Sequence, residues 1–163
     1  MANEILTSAL IEHLQGQFRL DWRGIHGSAH WARVRWNGLR LAERTGADTR
    51  IVELFAFLHD SRRENDGRDR EHGPRAAQTV AELNGRFFHL ADDELELLSF
   101  ACEQHTFGGR EAHPTVQTCW DADRLDLGRV GNRPDPARLC TDAARDPALL
   151  REAYARSLQG RPW

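Results

Sequence analysis

Three histidines and two aspartates stand where an uncompensated charge is costly. His59-Asp60 ends the most apolar run of the chain, Ile51, Val52, Leu54, Phe55, Phe57 and Leu58. A carboxylate there needs a cation, a set of hydrogen bonds or a path to solvent. Counting at about 3.6 residues per turn aligns Asp123 with Val116, Cys119, Trp120 and Leu127, while Asp121 lies about 200° of rotation away. Asp123 is therefore expected to point inward. The same counting places His105 on the stripe of Leu98, Ala101 and Cys102, and His30 on that of Val34 and Leu41. Imidazole nitrogens and carboxylate oxygens converging inside a helical bundle suit a borderline divalent cation such as Mn, Fe, Co, Ni or Zn. A metal site is the economical explanation.

The order of these residues carries more information than any one of them. A lone histidine opens His30-Trp31-Ala32-Arg33-Val34, the doublet His59-Asp60 follows, then the step His105-Thr106-Phe107, then the string Asp121-Ala122-Asp123-Arg124-Leu125-Asp126. This pattern resembles the HD-domain metal-dependent phosphohydrolase superfamily, in its small single-domain bacterial branch, over roughly residues 26–131. The resemblance implies that His30, His59, Asp60 and Asp123 coordinate one divalent metal, Mg being added to the ions named above. Two-metal members supply two further histidines between the doublet and the last aspartate, an interval occupied here by His72 and His105. His26 lies one turn before His30. His72, His105 and His26 are thus candidates for a second metal or for substrate.

The activity that the resemblance implies is phosphohydrolysis of a nucleotide or another small phosphorylated metabolite through metal-activated water. A bound divalent ion can lower the pKa of water from about 15.7 towards about 7 and polarise a phosphoryl oxygen. Glu64 is the nearest uncommitted carboxylate for proton transfer, and Arg62 and Arg63 follow the doublet directly, so these three are the catalytic candidates. Arg63, Arg75 and Arg124 are the candidates for forked contacts to phosphate oxygens. Alarmone hydrolases carry Glu-Asp just after the doublet; Arg63-Glu64 disfavours that substrate here. Two other readings share these residues. One is a di-iron oxygenase on the same fold, using His30, His59, Asp60, His72, His105 and Asp123. The other is a non-catalytic nucleotide-binding module.

The elements that must position these groups all read as helices. Ile5, Leu6, Ala9, Leu10 and Leu14 recur at helical spacing in an opening helix that Gly16 frays or ends. A second helix is expected from Ser28, as its cap, to Arg44, stopped by Gly46; a third is capped by Asp48. Ser61 to Glu71 reads as a solvated charged loop. A fourth helix is expected from Pro74 to Asn84, a fifth capped by Asp92 or Asp93 and running through His105, and a sixth from Pro114 to Leu127. One or two closing helices, within 136–159, pack on this core. The predicted class is an all-α, HD-domain-like bundle of six to eight helices, with residues 1–163 forming a single domain.

Composition agrees and removes other classes. The 163 residues are 40% apolar and 29% charged, enough for one core. All 22 basic residues are arginine, which excludes Schiff-base lysines and Walker A loops. A formal charge of −3 argues against nucleic acid as a partner. Three cysteines without Cys-x-x-Cys spacing indicate neither a disulfide framework nor a thiolate zinc site, and fit a reducing cytoplasm. Glu4, Glu12 and His13 interrupt the first apolar segment, so no membrane span is expected. Homo-oligomerisation stays open.

Overall fold

The computed structural model describes residues 4–159; residues 1–3 and 160–163 of the expected single domain lie outside the described residues. Those described are all-helical, without a strand. In chain order the helices are α1 (Ser8–Gln17), α2 (Ser28–Thr45), α3 (Thr49–Leu58), α4 (His72–Leu83), α5 (Asp92–Gln104), α6 (Pro114–Arg124), α7 (Asp142–Arg145) and α8 (Pro147–Ser157). Short 3₁₀ turns at Leu127–Val130 and Pro136–Arg138 separate α6 from α7. No described helix is long and apolar enough to cross a membrane.

Local chemistry sets the boundaries, and in several places moves them from the expected positions. Thr7 caps α1 by accepting from Leu10 N at 3.2 Å, so Ile5 and Leu6 precede the helix. Gly16 lies inside α1 and does not end it. Gly27, not Ser28, is the cap of α2; the Ser28 hydroxyl instead donates to Trp22 O at 3.0 Å. Gly46, at φ 72°, closes α2 in the left-handed conformation, and Asp48 accepts from Arg50 N and Ile51 N to start α3.

Helix α4 begins two residues before Pro74. Proline is tolerated there because the first-turn N–H groups have no intrahelical partner to lose. Asp92 and Asp93 occupy the first turn of α5 after Ala91, favouring the positive end of the helix without capping it. Helix α6 stops at Arg124, and Leu127 belongs to the following turn.

Helix α3 is the centre of the bundle, with Ile51, Val52, Leu54, Phe55, Ala56 and Leu58 all buried. It packs on α2, α5 and α6, while α4 and α5 form an antiparallel pair. Two glycines permit close approaches between helices. A methyl group added at Gly38 would come within 2.3 Å of Val52 Cγ1, and one at Gly73 within 2.6 Å of Glu103 O. Helices α7 and α8 lie against α2, and α8 also against the Leu127–Val130 turn.

Candidate metal centre

Each histidine of the cluster is oriented through the ring nitrogen that faces away from the centre. His59, just past α3, turns Nδ1 to Phe55 O at 3.0 Å and Ala56 O at 3.1 Å. His105, just past α5, turns Nδ1 to Cys102 O at 2.7 Å, and His72, opening α4, turns Nδ1 to Asp69 O. A carbonyl only accepts, so these Nδ1 atoms carry a proton, and each ring turns Nε2, the remaining candidate ligand atom, inward. His30, in α2, has Nδ1 2.7 Å from Asp126 Oδ2. Asp126 in turn accepts from Arg33 Nε at 2.7 Å.

The inward atoms converge around Asp60. His30 Nε2 lies 3.1 Å from His59 Nε2, 3.3 Å from Asp60 Oδ2 and 3.3 Å from Asp123 Oδ1. His59 Nε2 is 3.5 Å from Asp60 Oδ2 and 3.4 Å from Asp123 Oδ1. The other Asp60 oxygen, Oδ1, is 3.3 Å from His72 Nε2 and 3.4 Å from His105 Nε2, which are 2.8 Å apart. Adjacent ligand atoms held at about 2.1 Å from one cation are roughly 3–3.5 Å apart, so these spacings fit a shared ion. Two groups of three, His30–His59–Asp60 and Asp60–His72–His105, could each hold one, with Asp60 common to both.

The electrostatics make the same demand. Burial opposes ionisation of Asp60 and Asp123, but the surrounding imidazoles outweigh it and hold both carboxyls well below the usual range. Burial and the Arg129 charge oppose protonation of His30, yet hydrogen bonds to Asp123, Asp126 and Asp60 raise it to about 9. The centre calls for positive charge, which a divalent ion supplies.

The cluster forms the floor of a cleft of about 480 Å³, lined by Asp60, Asp123 and His105 below and by Arg63, Arg110, Arg124, Arg129 and Arg138 around the sides. Leu127, Pro134 and Leu139 add an apolar wall. Arg63 donates from Nε to Asp60 Oδ1 at 3.3 Å. Arg124 lines the cleft but is committed to structure. Its guanidinium donates to the carbonyls of Arg138 at 2.9 Å, Gly108 at 2.9 Å and Gly109 at 3.0 Å.

Other expected residues stand away from this cleft. Glu64 is at the surface, accepting from Arg19 Nη1 at 3.2 Å, because the chain after the doublet turns outward. Arg62 donates to Thr79 Oγ1 at 2.9 Å, and Arg75 to Arg62 O at 3.0 Å and Asp69 Oδ2 at 2.6 Å, pinning the charged loop onto α4. None of the three lines the cleft. His26 is buried beside His30, but its Nδ1 is 2.8 Å from Asp66 Oδ1.

Sequence reasoning gave Asp126, Arg33, Arg129, Arg110 and Arg138 no role, although Asp126 follows Asp123 by three residues and Arg33 follows His30 by three. Asp121 is fully buried and accepts from Cys140 N at 2.7 Å, Thr141 N at 2.9 Å and Thr141 Oγ1 at 2.8 Å, away from the metal centre.

The helical arrangement is that of an HD domain. A predicted HD superfamily hydrolase from an uncultured Thermotogales bacterium, known from its crystal structure, superposes with a TM-score of 0.69. The match covers 91% of this chain and 85% of that one at 23% sequence identity. No protein-family model and no curated protein matches the sequence. The chain therefore has the HD-domain fold, with a buried His/Asp cluster able to hold metal at its centre.

Proposed function

We propose that the protein is a metal-dependent phosphohydrolase acting on a nucleotide or another small phosphorylated metabolite. One observation carries this reading: four imidazole Nε2 atoms and two carboxylates converge at ligand-like spacings directly under a cleft rimmed by arginines. His30, His59, Asp60 and Asp123 would hold one divalent ion, and Asp60, His72 and His105 a second. When bound, such an ion lowers the pKa of water and polarises a phosphoryl oxygen.

The protein's own groups do the rest. Arg63, Arg110 and Arg129 offer guanidinium donors above the floor, where they orient phosphate oxygens and offset charge that builds up as the bond to phosphorus breaks. Arg124 keeps the Gly108–Gly109 and Arg138 segments in place and so shapes the wall. Leu127, Pro134 and Leu139 offer the non-phosphate part of the substrate an apolar surface. Three free cysteines, Cys102, Cys119 and Cys140, are in keeping with a reducing cytoplasm.

A second reading, a di-iron oxygenase, draws support from the two-sided use of Asp60. One experiment separates them. Protein purified without oxygen is analysed for metal, then assayed for phosphate release from a panel of phosphorylated metabolites with Mn, Co, Ni or Mg, and for oxygen uptake. Phosphate release that Asp60→Ala abolishes supports the hydrolase. Two irons per chain with oxygen uptake and no phosphate release support the oxygenase. Tight nucleotide binding without turnover identifies a binding module.

A further inference from the structure

The metal centre has a rear face. Arg33, which grips Asp126 behind His30, also lines a separate cleft of about 290 Å³ together with Arg23, Ala29 and Arg129. Three arginines and no carboxylate line it. Arg33 is only 3% exposed, and its Nη1 has no hydrogen-bond partner. A buried guanidinium nitrogen without an acceptor is costly, and nearly all such groups in folded proteins have one. Arg129 commits Nε to Ile25 O at 2.8 Å and Nη1 to Asp126 O at 3.0 Å.

Helix α2 starts at the same cleft. Ala29 lies in its first turn, four residues before Arg33 and hence on the same face. The cap, Gly27, has no side chain to offer the free N–H groups, and the first turn holds no acidic residue. The positive end of this 18-residue helix thus has neither a side-chain cap nor an acid of its own first turn beside the buried arginine.

We propose that this rear cleft is a second binding site, for a tetrahedral oxyanion of the phosphate class, held by Arg33, Arg129, Arg23 and the amino end of α2. Forked guanidinium donors match such an anion, and it supplies the acceptor that Arg33 Nη1 lacks. The site shares Arg129 with the cleft over the metal centre but is otherwise lined by different residues, and it does not rest on the proposed activity. Free inorganic phosphate and the phosphoryl group of a small metabolite present the same chemistry to it.

Calorimetric titration of the full-length protein with inorganic phosphate tests the site, on metal-loaded and on chelator-treated samples. A binding event is expected that persists without metal and in Arg110→Gln, a change confined to the front cleft. Ala29→Asp plants a carboxylate in the rear cleft at a position where helices favour one, so it should abolish this event with no loss of Tm. Arg23→Gln should weaken it about tenfold, and this variant decides the matter if Ala29→Asp melts lower than the parent. No phosphate binding to the chelator-treated protein, or binding that these rear-cleft changes leave unaltered, overturns the proposal. A parallel titration with glycerol 3-phosphate identifies the source: tighter binding than phosphate points to a metabolite, weaker binding to the free ion.

Discussion

Asp126 holds His30 from behind, with Oδ2 2.7 Å from His30 Nδ1 while Oδ1 accepts from Arg33 Nε at 2.7 Å. The carboxylate fixes both the tautomer and the tilt of the ring, so that Nε2 points at Asp60 and Asp123. Asp126→Asn keeps the shape and removes the charge. It is expected to weaken metal binding about 10- to 100-fold, read by competition with a chromophoric chelator. Unchanged affinity would show that α2 alone orients His30.

The place of Asp60 in both three-residue groups predicts a stoichiometry. Elemental analysis of protein saturated with Mn should give two ions per chain for the parent and one for His72→Ala. Asp60→Ala should hold none, since each group loses a ligand atom. Two tightly held ions in Asp60→Ala would refute the shared arrangement.

The metal-free protein should also show a characteristic pH profile. His30 is raised from 6.5 to about 9 in the folded state, so its stabilising contribution is complete below pH 6.5 and is lost as pH rises through about 9. Asp60 and Asp123 are shifted the other way, so their contribution is present above the usual carboxylate pKa and is lost in acid. Thermal melts of chelator-treated protein should therefore show Tm falling between pH 6.5 and 9. Bound metal takes the place of the His30 proton, and the fall should vanish in the loaded protein.

Gly73 lets α4 lie against the end of α5 beside His72. Gly73→Ala would push a methyl group into Glu103 O and Cys102 O. A destabilisation of about 1–3 kcal/mol by urea titration is expected, with loss of the second ion ahead of the first. Equal retention of both ions would show that α4 moves without carrying His72 away from His105.

The cluster was legible in the sequence because its residues obey two strong constraints. Periodicity put His30, His105 and Asp123 on apolar stripes and His59-Asp60 at the end of one, while the ordered resemblance to HD domains grouped His30, His59, Asp60 and Asp123 around one ion. The helix ends that Gly46 and Asp48 impose were legible for the same reason, since each has one dominant local role. Tertiary partners were not. Ser28 looks like a cap, but its hydroxyl is drawn to Trp22 O, and Gly27 takes the position. Arg62 and Glu64 sit close to the doublet along the chain, yet the turn after Asp60 carries them to Thr79 and Arg19, and Arg75 in α4 is held by Asp69. Arg110, Arg129 and Arg138 reach the cleft from the loops and turns that follow His105 and Asp123, and nothing in their local context distinguishes them from surface arginines.

The cleft wall is fastened in an unusual place. Arg124 and Asp121 seize main-chain atoms, Gly108 O, Gly109 O, Arg138 O, Cys140 N and Thr141 N, and mostly ignore the side chains attached to them. Side chains of that strip that do not enter the core, Pro134 and Ala137 among them, are therefore free to drift over generations without unseating the wall. The floor has no such latitude, because every imidazole there is pinned on both sides. Selection can retune what the enclosure admits while the His/Asp cluster beneath it keeps its geometry.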